Sequence, residues 1–138
     1  MNKPINKLAR SDVNTFATLR DATGSNSLDL YQRLATKSAF YPGQGTALGL
    51  AYCALKLNGD AGEFAEHVGK AMRDDSLMNP GEYTVDGMNF PIVHASEALT
   101  EERRVLLIKE IGDQLWYLSA SCNELGIRLS EAALINLE

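Results

Sequence analysis

Apolar positions recur at helical spacing over two long stretches of the chain. From about Thr46 to Arg73, Leu50, Ala54, Leu57, Ala61, Phe64, Val68 and Met72 follow one another at three- and four-residue steps. That period predicts a long amphipathic helix with one apolar seam. From Thr100, Ile108, Ile111, Leu115, Leu118, Cys122 and Leu125 predict a second helix. Thr100 is its cap, Glu101 and Glu102 suit its first turn, and Gly126 ends it. A shorter helix starts at Leu28 behind Ser27 and stops near Pro42, Gly43 and Gly45. A last one starts at Ser130 and runs to the chain end. A short helix after Ser11 is also expected. In "DDSLMNPGEYTVDGMNFPIVHASEAL", residues 74–99, turn residues dominate, and "EYTV" and "NFPIV" are expected to pair across Asp86-Gly87 as a small hairpin. Asn58-Gly59 is a hairpin signal as well. The apolar seam runs through it unbroken, so it is read as helix.

The expected fold class is therefore all-α: a bundle of four to five helices with a hairpin-like insertion between the two central ones. A length of 138 residues fits one domain, 1–138, of which 1–26 is a variable N-terminal segment. The apolar fraction of 45% and charged fraction of 22% fit a globular protein. No apolar run reaches the length of a membrane span, and "MNKPINKLAR" lacks the apolar stretch of a signal peptide. Cys53 and Cys122 are far apart in apolar helical surroundings. They read as two buried free thiols of a cytoplasmic protein.

Beside each seam lies a polar stripe. Lys56, Asp60, Glu63, His67 and Lys70 share one face of the first central helix, and Glu110, Asp113 and Tyr117 share one of the second. Each stripe holds an acid pair three residues apart, Asp60/Glu63 and Glu110/Asp113, with a glycine inside it, Gly62 or Gly112. Packing seam on seam would bring four carboxylates together. Oxygen-only donors of this kind suit Mg2+ or Mn2+. The glycines would leave room for a close helix or a bulky ligand.

Charge and spacing exclude other chemistries. A net charge of −5, from 13 basic and 18 acidic residues without a basic run, argues against a nucleic-acid polymer as ligand. Di-iron bundles use Glu-x-x-His, whereas His67 stands four residues after Glu63 and one after Glu66. Two cysteines do not make a structural zinc site. "NGDAGE" lacks the leading acid of a calcium loop, and no phosphate-binding glycine loop or nucleophile elbow is present. His67 and His94 read as structural or exposed residues.

"LKLNGDAGEFAEHVGKAMRDD" followed by "LIKEIGDQLWYLSASCNELGI" resembles the MazG-like nucleoside triphosphate pyrophosphohydrolases of the all-α NTP pyrophosphohydrolase superfamily. That family carries E-x-x-E on one helix and E-x-x-D on the next. Asp60-Ala-Gly-Glu63 resembles the first with Asp for Glu, and Glu110-Ile-Gly-Asp113 matches the second. "YPGQG", the "KxxRDD" of Lys70 to Asp75, and Asn136 look like one branch of the family. The resemblance spans roughly residues 28–138. Residues 64–109 form a longer gap between the motifs than is common, which marks 74–99 as an insertion.

The resemblance implies hydrolysis of a nucleoside or deoxynucleoside triphosphate to the monophosphate and pyrophosphate. It implies a Mg2+ site (Mn2+ as the variant) on Asp60, Glu63, Glu110 and Asp113, with Glu63 as the base that handles the attacking water. Lys70 and Arg73 are candidates for phosphate contacts. Trp116 and Tyr117 are candidates for base stacking, and Asn136 for a sugar or base contact. A homodimer or dimer of dimers is expected, because seams on more than one side of the central helices do not close a core alone. The alternative is a non-enzymatic nucleotide-binding or assembly protein on the same fold.

Overall fold

The computed structural model describes residues 27–75, 77, 83–90 and 95–137. The helix expected after Ser11 and the variable segment 1–26 lie outside them, as does His94. The elements are α1 (Ser27–Thr36), α2 (Ala47–Asp74), β1 (Tyr83–Val85), β2 (Met88–Phe90), α3 (Ala95–Ala98), α4 (Glu101–Leu125) and α5 (Leu129–Leu137). Among the described residues the four expected helices are present and the class is all-α, with the small hairpin between the two long helices. The four-residue α3 was not expected. Neither long helix reaches the apolar length of a membrane span.

The chain divides into two compact units, and the division cuts both long helices: 1–57 with 115–138, and 58–114.

In the first unit α1 packs on α5, and the join is a polar one. α5 starts without the Ser130 cap expected from the sequence. Instead α1 supplies the acceptors: Leu129 N–H donates to Gln32 Oε1 at 2.7 Å, and Ser130 N–H to Asp29 Oδ1 at 3.1 Å. The Ser130 hydroxyl is used up as a second donor to Asp29, at 2.9 Å. A carboxamide and a carboxylate from another helix thus satisfy two open amides of the first turn. Gln32 is buried and also donates to Asn123 Oδ1 and the Ile127 carbonyl. α1 ends at Thr36, short of the expected Pro42-Gly43 stop. Three successive i to i−3 bonds, from Lys37, Ser38 and Ala39, wind its last turn tight and release the chain.

The "YPGQG" loop is held by Glu124. Its carboxylate accepts from the Tyr41 hydroxyl at 2.5 Å and from Gly45 N–H at 3.0 Å. These bonds, the Tyr41 bond foremost, hold the Glu124 carboxyl below its ordinary value. Gly43 has φ 71° and Gly45 φ 81°, the left-handed region that glycine enters without strain. A Cβ on Gly49 would stand 2.5 Å from the Gly43 carbonyl oxygen, so the start of α2 has to be bare there. Tyr41, Cys53, Tyr117 and Ala120 form the core of this unit, with Tyr52, Leu57 and Trp116 against them. Cys53 and Cys122 are both buried and form no disulfide, as expected. Gly126, at φ 67°, closes α4: its N–H bonds Asn123 O, and Ile127 N–H bonds Cys122 O. That pair of bonds is a Schellman cap.

In the second unit the remainders of α2 and α4 carry the buried Ala71 and Leu107. Arg103, near the start of α4, donates to Asp75 at 2.8 Å just beyond the end of α2, and both side chains are largely covered. Thr100 caps α4 as expected, accepting from Arg103 N–H. β1 and β2 pair antiparallel, with Val85 opposite Met88. Asp86 (φ 49°) and Gly87 (φ 77°) make the two-residue turn that fits the strand twist.

The structure corrects the seams. On α2 the inward positions are Gly49, Cys53, Leu57, Asp60, Phe64, His67 and Ala71, while Ala54, Ala61 and Met72 are exposed. Leu50, Leu57, Phe64 and Val68 of the expected seam are half-buried, so the covered face overlaps the expected one and extends toward the polar stripe at Asp60 and His67. On α4 the inward side is Leu107, Glu110, Asp113, Tyr117 and Ala120, which contains the whole polar stripe. Of the expected seam, Ile108, Ile111, Leu118 and Leu125 are exposed, with Ile111 at 54%, while Leu115 is half-buried and Cys122 buried. Helices with apolar residues on several sides allow more than one face to pack, and the periodic pattern does not choose between them.

Candidate acidic site

The four acids singled out in the sequence all lie in the second unit, on the stretches of α2 and α4 that it contains. Asp60, Glu110 and Asp113 turn inward, whereas Glu63 stays at the surface. Glu110 is the deepest, 9% exposed, and its Oε2 is shut off from solvent with no hydrogen-bond partner. Burial pushes its carboxyl above the ordinary value. The charges of Glu63, Asp113 and Asp60 push the same way, and His67 opposes them. Asp113 is raised likewise, by burial first and by Glu63 second. Asp60 is half-buried with Oδ2 closed to solvent, and Glu63 is exposed. The four carboxylates are therefore electrostatic neighbours, one of them at the surface. Among the described residues no group of three or more His, Cys, Asp or Glu stands in ready-made coordinating geometry.

One neighbour was undervalued in the sequence. His67, read there as structural or exposed, lies on the inward face of α2 with Nε2 3.8 Å from Glu110 Oε1, and its Nδ1 is buried with no hydrogen-bond partner. The signal was present, since His67 follows Asp60 by two turns on the same stripe.

Glu66 raises a second point. Glu63-Phe-Ala-Glu66 has the E-x-x-E spacing without substitution, whereas the sequence reading paired Glu63 with Asp60. In the structure Glu66 is exposed and its carboxylate pairs with Lys70 at 2.5 Å, which lowers its pKa. Asp60, not Glu66, contributes to the charge felt by Glu110.

The other expected site residues are placed differently. Lys70 is engaged by Glu66, and Arg73 forms a two-pronged pair with Asp74 at 2.6 and 2.7 Å. Both phosphate candidates thus carry an acidic partner that a phosphate would have to displace. Trp116, Tyr117 and Asn136 belong to the first unit. Tyr117 is a core residue, which removes its ring from a stacking role. Trp116 is half-buried, edge-on to Tyr41 and Tyr117, with Nε1 donating to Ser38 Oγ at 3.4 Å. Asn136 is exposed in the last turn of α5. A cavity of about 250 Å³ in that unit is lined by Asp29, Gln32, Thr36 and Asn123, whose polar atoms are already bonded to one another or to α5.

The glycines do not admit a close helix within this chain. A Cβ on Gly59, Gly62 or Gly112 would meet nothing within 4 Å. They leave the outer surface beside the acids low and open.

No family profile and no solved structure matches the chain. A phage protein does: the "Gene 37 protein" of Mycobacterium phage L5 is 34% identical over 113 residues, which cover 80% of this chain and 82% of that protein. Similarity of that extent, running through most of both sequences, establishes common descent, and the chain belongs to the family of the mycobacteriophage L5 Gene 37 protein.

Proposed function

We propose that the protein hydrolyses nucleoside or deoxynucleoside triphosphates to the monophosphate and pyrophosphate, with a divalent cation at the acidic site. The observation that carries this is the buried Glu110 carboxylate with an orphaned oxygen, its pKa raised by burial first and then by three neighbouring acids. A buried carboxylate crowded by like charge is costly unless a proton or cation compensates it. The donor type, carboxylate oxygen, is the one that Mg2+ and Mn2+ prefer. Asp60, Glu63, Glu110 and Asp113 would hold the ion. When bound, it would neutralise phosphate charge and ease deprotonation of water.

The chain's own residues have separable tasks. Glu63 is exposed and is the carboxylate reachable by a water from solvent. It takes the proton of the water that attacks the α-phosphorus. The bond from that phosphorus to the α–β bridging oxygen breaks, and pyrophosphate leaves. Glu110 and Asp113, held on one face of α4, keep the acidic field in place. Lys70 and Arg73 meet the outer phosphates by exchanging Glu66 and Asp74 for them. The exposed Ile108, Ile111, Leu118 and Leu125 support a homodimer, and the two buried thiols support a reducing, cytoplasmic setting.

The test is incubation of purified protein with each NTP and dNTP in Mg2+, reading pyrophosphate, with Glu63→Ala and Glu110→Gln as controls. Pyrophosphate from at least one nucleotide, lost in both variants, is the expected result. A folded protein that releases none from any of them supports the non-enzymatic alternative instead.

A further inference from the structure

We propose that Arg103 grips the outer phosphates of the substrate, as the preset anion receptor of the subsite to which Lys70 and Arg73 belong. This rests on the triphosphate reading above.

Arg103 differs from the other two cations in how it is held. Its side chain is 16% exposed, and its Nε donates to Asp75 Oδ2 at 2.8 Å. Among the described residues its Nη1 and Nη2 donate to nothing. The carboxylate therefore braces the guanidinium from behind through one nitrogen and leaves the other two open. Arg73 is the contrast: it is exposed, and Asp74 takes both its Nε and its Nη2. A planar fork fixed before a ligand arrives loses little freedom on binding, and its geometry matches two oxygens of one phosphate.

The placement fits the same role. Two cross-helix pairs, His67 with Glu110 and Asp75 with Arg103, set α2 and α4 antiparallel within this unit: eight residues forward on α2 correspond to seven back on α4. Lys70, Arg73 and Arg103 consequently lie beyond the acids toward the same end. All three act on one spot. The Asp74 carboxyl is held below its ordinary value by its bond to Arg73 first, and the charges of Arg73, Arg103 and Lys70 act in the same direction. Arg103 shares one line of α4 with Leu107 and Glu110, and stands seven residues, about 10 Å of helix, from the deepest acid. Acids at one end and cations at the other suit a triphosphate whose α-phosphorus lies by the acids and whose outer phosphates point away. Glu66 and Asp74, which balance Lys70 and Arg73, are at the surface and can be displaced, whereas Asp75 is 18% exposed and remains the brace of Arg103.

The probe is inorganic pyrophosphate, which stands for the two outer phosphates. It is titrated calorimetrically into the full chain, with Mg2+ and with chelator, in wild type, Arg103→Lys and Arg104→Gln, while thermal melts check the fold. Lysine keeps the charge and a bond to Asp75 but lacks the fork. Expected is an affinity that falls about tenfold or more in folded Arg103→Lys. Arg104→Gln, which removes an exposed charge paired with Glu101, should bind as wild type does. Pyrophosphate bound equally by wild type and Arg103→Lys reduces Arg103 to a tie between helices and overturns the proposal, as does a wild type that binds none. Binding that is lost in Arg103→Lys, in a protein whose wild type releases pyrophosphate from no nucleotide, upholds the anion subsite and overturns hydrolysis alone. If Arg103→Lys does not fold, phenylglyoxal labelling of wild type decides: bound pyrophosphate shields Arg103 in the peptide mass map, and equal labelling with and without it overturns the proposal.

Discussion

Glu110→Gln is expected to make the protein more stable when divalent ions are absent, and deaf to them when they are added. Glu110 is 91% covered, one of its oxygens has no partner, and three acids press on it against a single histidine. An unsatisfied buried polar group costs about 1–3 kcal/mol, more if charged. Gln keeps the shape, removes the charge, and offers N–H donors to the neighbouring carboxylates. Part of that cost returns, about 1–2 kcal/mol, which for a chain of this length raises Tm by roughly 3–8 °C. The pH dependence follows from the raised carboxyl. Below the ordinary glutamate value of 4.5, Glu110 is protonated in both folded and unfolded chains and costs nothing. As pH rises from there to the raised folded value, the unfolded chain ionises first, and wild-type stability falls until the full cost is present. The advantage of Glu110→Gln is therefore greatest at neutral pH and vanishes in acid. A cation that binds only the folded state adds RT ln(1 + [L]/Kd), about 2.7 kcal/mol at a hundredfold excess over Kd. Wild type should show that rise with Mn2+ or Mg2+, and the variant should not. Thermal melts with chelator and with each ion, between pH 4 and 8, measure all of this. A variant that melts lower than wild type at neutral pH in chelator, or that keeps the full cation-induced rise, would refute the reasoning.

Other outcomes can be checked alongside. Asp60→Asn should weaken Mn2+ binding more than Glu66→Gln in calorimetry, because Asp60 faces the site and Glu66 faces Lys70; the reverse order would shift the first acid pair to Glu63 and Glu66. Gly49→Ala should destabilise by about 1–3 kcal/mol in urea melts, since the new methyl meets backbone at 2.5 Å; a gain, as helix propensity alone predicts, would mean the loop yields. Gln32→Leu leaves the Leu129 amide and the Ile127 carbonyl without their partner and should cost about 1–3 kcal/mol, read by the same melts. Ile111→Asp should leave a monomer's fold intact and, if the exposed face joins two copies, halve the mass seen by light scattering.

Local sequence determined what local physics controls. The period of apolar residues located both long helices to within a residue or two, against the hairpin signal of Asn58-Gly59, because a long seam outweighs one dipeptide. Thr100, Gly126 and Asp86-Gly87 act where they stand, through their own hydroxyl or their own φ, and they were readable as they stand. The acid pairs were legible too, since three-residue spacing on a helix is a geometric fact. Tertiary structure decided the rest. Which side of each helix is covered depends on what the other elements present, and here Asp60, His67, Glu110, Asp113 and Tyr117 turned inward while Ile108, Ile111 and Leu118 stayed outside. The cap of α5 came from Asp29, about a hundred residues away in the chain, and His67 acquired its meaning only when Glu110 arrived opposite it. A periodicity constrains one element's own rotation weakly; the choice among its faces is made by packing against partners that are distant in sequence.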